Sequence, residues 1–238
     1  MVFKTNKRKK SDKDNQEQQL GASLVTVTRP SDTVAEQFRS IKENIQFSAA
    51  DKKIQTLLVT SADDSEGKST MAANLAAVMA EQGKRVLLVD ANLRKPSIYK
   101  TFNLNEHHPG LTTLLTDDSL TIMDAIIKVK DANLYVLSAG PMPPNPSELL
   151  DSKRMEALIE EFNDVFDTVI FDSSALLTGD DAQVMATKVD GIIITIREGV
   201  TEKNSIYQAK ERLDAVNANV IGAIYNGSED KKESKAIK

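Results

Sequence analysis

The sequence predicts an α/β protein with a doubly wound, mostly parallel sheet. Several apolar runs have the length of a strand and little polar alternation, which is typical of strands covered on both faces. Segments of helical length separate these runs, so strands alternate with helices along the chain. The chain has 238 residues, of which 40% are hydrophobic. This length and composition suit one folded domain better than two.

Six segments are predicted to be strands and five to be helices. The strands are 54–60, 85–90, 134–137, 168–172, 191–197 and 220–225. The helices are 33–47, 69–82, 147–162, 179–187 and 203–216. Ser31 or Asp32 is available to cap the first helix, and Ser147 with Glu148 forms the start of the third.

The composition excludes several classes of protein. There is no cysteine, which rules out disulfides and zinc–thiolate sites, and the two histidines are too few for a multi-histidine metal centre. The net charge of -5 does not favour nucleic acid as a partner. No apolar run approaches the ~18–20 residues of a membrane span. Because the N-terminus also lacks the apolar core of a signal peptide, a cytoplasmic protein is expected.

Both ends of the chain are predicted to be tails around a folded region, 29–227. Residues 1–28 form a polar segment with six basic residues near its start: Lys4, Lys7, Arg8, Lys9, Lys10 and Lys13. This segment could contact an anionic membrane surface. Because acidic residues dilute the charge, an ordinary solvated tail is the favoured alternative. Residues 228–238 are polar and are expected to be loose.

A phosphate-binding loop is predicted between the first strand and the next helix. Residues 60–70 read Thr-Ser-Ala-Asp-Asp-Ser-Glu-Gly-Lys-Ser-Thr, a P-loop pattern with Ala62 in place of the first glycine. In such a loop, backbone N–H groups at the positive end of a helix face the phosphates. The predicted nucleotide-binding residues are Ser65, Glu66, Gly67, Lys68, Ser69 and Thr70.

Four of these residues have specific expected roles. Gly67 allows the backbone to approach the phosphates closely, and Lys68 reaches the β- and γ-phosphates of ATP. The Ser69 hydroxyl binds Mg²⁺, and Thr70 helps to hold the α-phosphate. The alternative is an ordinary strand-to-helix turn. A lysine at a helix start opposes the helix dipole, however, and therefore favours a bound anion.

Two acidic residues end apolar strands, Asp90 in the second strand and Asp172 in the fourth. Ligands of open parallel sheets bind beyond the carboxyl ends of the strands, so both side chains should face the phosphate loop. Mg²⁺ is held by few protein ligands and several waters, so one or both are predicted to hold it. Each could instead cap the turn that follows it.

These features resemble the bacterial protein-tyrosine kinases of capsule and exopolysaccharide biosynthesis, in their Gram-positive cytoplasmic form. The resemblance covers about residues 31–227. Besides the phosphate loop, four segments carry it: 90–96 (Asp-Ala-Asn-Leu-Arg-Lys-Pro), 139–150 (Ala-Gly-Pro-Met-Pro-Pro-Asn-Pro-Ser-Glu-Leu-Leu), 35–48 and 110–115.

The resemblance implies an enzyme that uses ATP and Mg²⁺ to phosphorylate protein tyrosines. Lys68, Asp90, Asn92 and Asp172 correspond to its catalytic positions, and related ATPases suggest that Asn226 hydrogen-bonds adenine. Turn formation by Asn226 with Gly227 is an equal alternative. The family implies a membrane-anchored activator, which is a polysaccharide co-polymerase, together with assembly into rings. It also implies a cytoplasmic protein held at the inner face of the membrane by that partner.

The chain departs from the family pattern at several positions. Asp64-Ser65 replaces Pro-Gly in the phosphate loop, and Asn92 replaces a second aspartate, which removes a group able to accept a proton. The ring-forming pattern of the family ends in Lys42 where arginine is usual, which predicts weaker assembly.

The family's C-terminal tyrosine cluster has no counterpart here, because residues 228–238 contain no tyrosine. Of the four tyrosines, Tyr135 and Tyr225 lie in predicted strands and are expected in the core. Two alternative functions remain open, the first of them supported by Asn92 and by the missing tyrosine cluster. One is a nucleotide-binding regulatory scaffold with little kinase activity. The other is a partitioning-type ATPase switch, although that class carries a lysine where this chain has Asp63.

Overall fold

A single sheet organises the part of the chain that the computed structural model describes, which comprises residues 22–48, 53–81, 83–130 and 133–227. Its strands are β1 (Thr56–Ser61), β2 (Val86–Asp90), β3 (Ile127–Lys128), β4 (Leu134–Leu137), β5 (Thr168–Asp172), β6 (Gly191–Arg197) and β7 (Val220–Asn226). Across the sheet the order is β3-β4-β2-β5-β1-β6-β7. Only the β3–β4 pair is antiparallel among these strands, which confirms the predicted mostly parallel sheet.

The central strands β1, β2 and β5 are buried along their whole length. Helices cover both faces of the sheet and form two apolar layers. One layer includes Phe162 and Phe171, and the other includes Leu75 and Ile170. Burial on both faces explains why these strands read as continuous apolar runs instead of alternating ones.

The described helices are α1 (Val25–Thr28), α2 (Thr33–Ser48), α3 (Lys68–Ala80), α4 (Ile98–Thr101), α5 (Leu111–Thr116), α6 (Ile122–Ala125), α7 (Pro146–Leu150), α8 (Lys153–Val165), α9 (Asp181–Ala186) and α10 (Lys203–Asp214). None of the helices described for this chain is long and apolar enough to cross a membrane. The prediction of one helix over 147–162 was wrong, because α7 and α8 are separate. Ser152 begins α8, and its Oγ accepts the N–H of Met155 at 3.2 Å.

Residues 22–28 pack on the domain, although they were predicted to belong to the N-terminal tail. Thr26 is buried, and both its N–H and its hydroxyl donate to Asn74 Oδ1, at 3.1 and 3.0 Å. Asn74 Nδ2 donates in turn to the carbonyls of Ser23 and Thr70. Residues 22–28 therefore belong to the folded region, whereas residues 1–21 and 228–238 lie outside the described residues.

Helix α2 is tied to the end of α3 by an arginine from the predicted ring-forming pattern. Arg39 pairs with Glu36 one turn earlier on α2, and its Nε donates to Glu81 Oε2 at 3.2 Å. Lys42, one turn further along, is buried. Within one chain, this pattern therefore fastens α2 to the helix that follows the phosphate loop.

Candidate active site at the carboxyl ends of the strands

The turn between β1 and α3 has the geometry of a phosphate-binding loop. Gly67 has a φ of +94°, and a Cβ atom there would lie 2.3 Å from Asn226 Nδ2. Only glycine fits such a position. The Asn226 amide donates to the Glu66 carbonyl at 3.0 Å, so the last residue of β7 fixes the loop just before the helix begins.

A second contact that the sequence did not reveal holds the middle of the loop. Arg197, at the end of β6, donates from Nη1 to the Ser65 carbonyl at 2.8 Å. Ser65 has a φ of +63°, in the left-handed region. For a residue other than glycine this conformation costs roughly 1–2 kcal/mol. The replacement of glycine by Ser65 therefore keeps the loop shape, and the surrounding contacts maintain it.

Lys68 is buried and folds back over its own loop, where its Nζ lies 3.4 Å from the Asp63 carbonyl oxygen. Burial lowers the pKa of Lys68, although the charges of Asp172, Asp64 and Glu66 oppose this shift. Glu66 is fully buried, and neither of its carboxylate oxygens has a hydrogen-bond partner among the described residues. A buried ammonium among carboxylates is arranged to meet a polyanion together with a cation.

Asp90 and Asp172 come together because β2 and β5 are parallel neighbours with these two residues in register. Both are completely buried. Burial raises the pKa of Asp90 to about 6, although the hydrogen bonds that it accepts from backbone N–H groups lower this pKa. Burial and the nearby Asp90 charge raise the pKa of Asp172 to about 8. The nearby Ser69 hydroxyl and the Lys68 charge lower the pKa of Asp172. The Ser69 hydroxyl does not, however, form a well-formed hydrogen bond with this carboxylate.

The two carboxylates differ in their hydrogen bonds. Asp90 accepts the N–H groups of Asn92 at 3.2 Å and of Ser97 and Ile98 at 3.0 Å each. Asp172 has no hydrogen-bond partner on either oxygen among the described residues. A buried carboxylate without partners is costly, so Asp172 has the coordination capacity for a cation, whereas Asp90 is largely engaged in shaping its own turn.

The residues fit Mg²⁺, which prefers oxygen ligands and keeps several waters. The Ser69 hydroxyl and the Asp172 carboxylate would hold the ion, with Asp90 adding negative charge. The described residues contain no group of three or more acidic or histidine side chains arranged to hold a metal. A shared site with nucleotide phosphates and water therefore suits them better than a cage made only of protein ligands.

The segment after Asp90 faces the phosphate loop from the other side. Asn92 Oδ1 accepts the N–H of Lys95 at 3.3 Å, which closes a tight turn. Lys95 Nζ reaches Asp64 Oδ2 at 2.6 Å, so this loop carboxylate is paired with a cation. The negative charge of Asp64 is therefore balanced by Lys95 from the neighbouring segment. This pairing reduces the repulsion that Asp64 would exert on a bound phosphate.

Comparison with known proteins places this geometry in a family. A family model described as an AAA domain matches residues 55–220. The tyrosine-protein kinase YwqD of Bacillus subtilis (strain 168) is 41% identical over 221 residues, which cover 93% of this chain and 92% of that protein. The chain belongs to the family of bacterial tyrosine-protein kinases. The structural matches agree. The kinase domain of the Escherichia coli tyrosine kinase ETK superposes with a TM-score of 0.83 at 30% identity, covering 91% of this chain and 84% of that one. The chimerical protein CapA2B2 gives 0.82 at 33% identity, covering 88% and 94%.

The tyrosines of this family member are not all where the sequence placed them. Tyr225 was predicted to be a core residue, but it is 59% exposed on β7, which is an edge strand of the sheet. Tyr135 is half-buried and packs edge-on against Phe166, with ring centroids 5.2 Å apart. Tyr207, on α10, is also exposed.

The buried acids of this bacterial tyrosine-kinase fold should make the free protein less stable as the pH rises. Folding raises the pKa of Asp172 from 3.8 to about 8, so in that window the folded state holds a proton that the unfolded chain releases. Raising the pH therefore favours unfolding. We expect Asp172→Asn to reduce the slope of stability against pH by up to ~1.4 kcal/mol per pH unit.

Urea unfolding of the nucleotide-free chain between pH 5 and 8 measures this slope. Asp214→Asn, which changes an exposed carboxylate on α10, serves as the control and should leave the slope unchanged. Parallel stability curves for Asp172→Asn and the parent chain would show that this carboxylate does not hold a proton in the folded protein.

Proposed function

We propose that the chain transfers the γ-phosphoryl group of ATP to tyrosines of protein substrates, with Mg²⁺ as the cofactor. One observation carries this proposal. The fully buried Asp172 has two carboxylate oxygens without partners, and it lies beside Lys68, Ser69 and a loop built to approach phosphates. This combination of a buried cation, a free carboxylate and backbone N–H groups suits a metal–nucleotide complex.

Each part of the site would then have a role in binding ATP. The N–H groups of residues 65–70 would face the phosphates, and Lys68 would stabilise the charge of the β- and γ-phosphates. Thr70 adds a contact to the α-phosphate. Asn226, whose amide donates to the Glu66 carbonyl, would use its remaining amide groups to hydrogen-bond adenine. Bound Mg²⁺ would neutralise charge that develops on the phosphates during transfer.

In the transfer, the tyrosine hydroxyl oxygen would form a bond to the γ-phosphorus while the bond from that phosphorus to the β-phosphate oxygen breaks to release ADP, and the hydroxyl proton would pass to solvent. Positioning and charge stabilisation carry most of the catalysis in such reactions. Asn92 can orient the incoming hydroxyl through its amide but cannot take up its proton. This chemistry favours a kinase that is slower than relatives with a carboxylate at position 92.

Regulation and location are also part of the proposal. We propose that the chain acts in capsular or exopolysaccharide biosynthesis and that a membrane-anchored co-polymerase activates it at the inner face of the membrane. A ring of copies would use α2, where Arg39 already pairs with Glu36 and Glu81 within one chain. If a neighbouring copy in the ring breaks these ion pairs of Arg39, it would have to supply other acidic partners for Arg39. Asn92 also supports a second candidate, a nucleotide-binding scaffold with little transfer activity.

Within this proposal, the first prediction concerns Lys68. Lys68→Met should weaken ATP binding about 10- to 100-fold, because a charge-assisted contact to phosphate is worth roughly 1.5–3 kcal/mol. Isothermal calorimetry with Mg²⁺ and ATP measures the affinity, and thermal unfolding checks that the variant folds. Lys210→Met, which changes an exposed lysine on α10, is the matched control and should bind ATP as the parent does. Equal affinity in a folded Lys68→Met protein would rule out the phosphate role.

The second prediction concerns Asn92. Asn92→Asp should raise phosphoryl transfer to an added glutamate–tyrosine copolymer without tighter ATP binding, because a general base typically contributes ~10²–10⁴-fold. An aspartate can still accept the Lys95 N–H that Asn92 accepts, so the turn should persist. Asn105→Asp is a matched control, because Asn105 also accepts a nearby backbone N–H, that of His107, but lies in another loop.

The assay also separates the two candidate functions. It is run with the cytoplasmic segment of the activator present, and phosphotyrosine on the copolymer is measured. An unchanged rate in Asn92→Asp, with the parent already as fast as relatives that carry aspartate, would refute the proposed role of position 92. ATP binding without transfer by either protein would favour the scaffold over the kinase.

A further inference from the structure

An arginine outside the phosphate loop holds a buried carboxylate by two hydrogen bonds. Arg94 donates from Nε to Asp181 Oδ2 at 2.7 Å and from Nη2 to Asp181 Oδ1 at 3.0 Å. The Asp181 side chain is only 1% exposed. Such two-pronged pairs fix direction as well as distance, because the planar guanidinium matches the carboxylate.

A third residue completes this contact. The Ser147 hydroxyl donates to Asp181 Oδ1, and Arg94 Nη2 also lies 3.3 Å from Ser147 Oγ. We call Arg94, Asp181 and Ser147 the Arg94 clamp. Asp181 is the first residue of α9, which follows β5, and Ser147 lies in α7, which follows β4. The clamp therefore fastens the segment after β2 to the elements that follow both strands beside it.

The segment that the clamp fastens, 91–97, lies directly beside the phosphate loop. It follows Asp90, whose carboxylate accepts a hydrogen bond from the N–H of Ser97 at the far end of the segment. It also carries Asn92 and Lys95, and the side chain of Lys95 crosses to Asp64 in the phosphate loop. Arg94 lies between these two residues and faces away from the loop, toward α7 and α9. Because Asn92 and Lys95 lie within two residues of Arg94, a shift of Arg94 would displace both of them relative to the phosphate loop.

We propose that Arg94 is a positioning residue for phosphoryl transfer and acts through the clamp to hold segment 91–97 against the phosphate loop. This inference rests on the proposed function, and it adds a residue set that binds neither ATP nor Mg²⁺. Misplacement of reacting groups by about 1 Å can slow an enzyme ~10²-fold. Because the clamp acts on the segment and not on the phosphate loop itself, its loss should reduce kcat more than ATP affinity.

Four variants of the full chain test the clamp: Arg94→Lys, Asp181→Asn, the double variant, and Ser147→Ala. Arg94→Lys keeps the charge but loses the two-pronged geometry. We expect either single variant at Arg94 or Asp181 to lower kcat about 10- to 100-fold, with the KM for ATP changed less than about 3-fold. The double variant should be no slower than the single ones, because the two residues act as a unit.

Ser147→Ala removes the hydrogen bond to Asp181 and keeps the Arg94–Asp181 ion pair. This variant perturbs the clamp least and is expected to fold. It should lower kcat by about 2- to 10-fold, the equivalent of one hydrogen bond. Arg154→Lys is the matched control. Arg154 makes an ion pair of the same length, 2.7 Å to Glu161, on α8, away from the phosphate loop. This variant should keep the parent kcat.

Hydrogen–deuterium exchange of the nucleotide-free proteins supplies a readout that does not depend on activity. Amides of segment 91–98 should exchange faster in Arg94→Lys and Asp181→Asn than in the parent, while those of β1 stay protected. The proposal is overturned if exchange in this segment is unchanged. It is equally overturned if the segment loosens but kcat stays the same, or if the two single effects multiply in the double variant.

Failure of the clamp and failure of the proposed function give different results. A parent chain that binds ATP but transfers no phosphate contradicts the proposed function. The exchange measurement then still decides whether the clamp holds segment 91–97. If the parent transfers phosphate and the clamp variants have the same kcat as the parent, only the proposed role of the clamp is contradicted.

Discussion

The structure depends on one constraint, the burial of two carboxylates side by side. Asp90 and Asp172 end neighbouring parallel strands in register, so the sheet itself places like charges together in a site without solvent exposure. Such a pair is unfavourable unless protons or cations compensate for it. Lys68 contributes one positive charge, and the Asp90 carboxylate receives three backbone N–H groups. Among the described residues Asp172 lacks such partners, and this is the observation on which the proposed metal–nucleotide complex rests.

The difference between the two acids also organises the surrounding segments. Because Asp90 is bound to the backbone of 92–98, it shapes the turn that carries Asn92 and Lys95. That turn is linked inward to the phosphate loop through Asp64 and outward to α7 and α9 through Arg94. On the other side, Asn226 and Arg197 hold the loop from β7 and β6. The phosphate loop is thus held by contacts from β6, from β7 and from the segment after β2, which suits catalysis by positioning.

The sequence predicted what depends on local pattern. Continuous apolar runs located six of the seven described strands within one or two residues, and the terminal aspartates of two of them identified the acidic pair. The two-residue β3 was missed, because it is too short to form an apolar run. Contacts between distant residues could not be predicted in this way. Arg94 and Asp181 are 87 positions apart, and Thr26 and Asn74 are 48 apart. The exposure of Tyr225 depends on β7 being an edge strand, which is a property of the sheet order. The split between α7 and α8 depends on Ser152, whose side chain caps the start of α8. This contact forms only in the folded backbone, and the helical pattern of the sequence does not reveal it.

The most direct test of the central claim is the number of protons released when Mg²⁺ and nucleotide bind. At pH 7 a pKa of about 8 leaves Asp172 mostly protonated in the free protein, and a cation must displace that proton. Calorimetric titration of the chain with preformed Mg²⁺–ADP, in buffers of different ionisation enthalpy, counts the protons. The account predicts the release of about one proton per site in the parent chain and almost none in Asp172→Asn. Equal proton release by the two proteins, at equal occupancy, would contradict it.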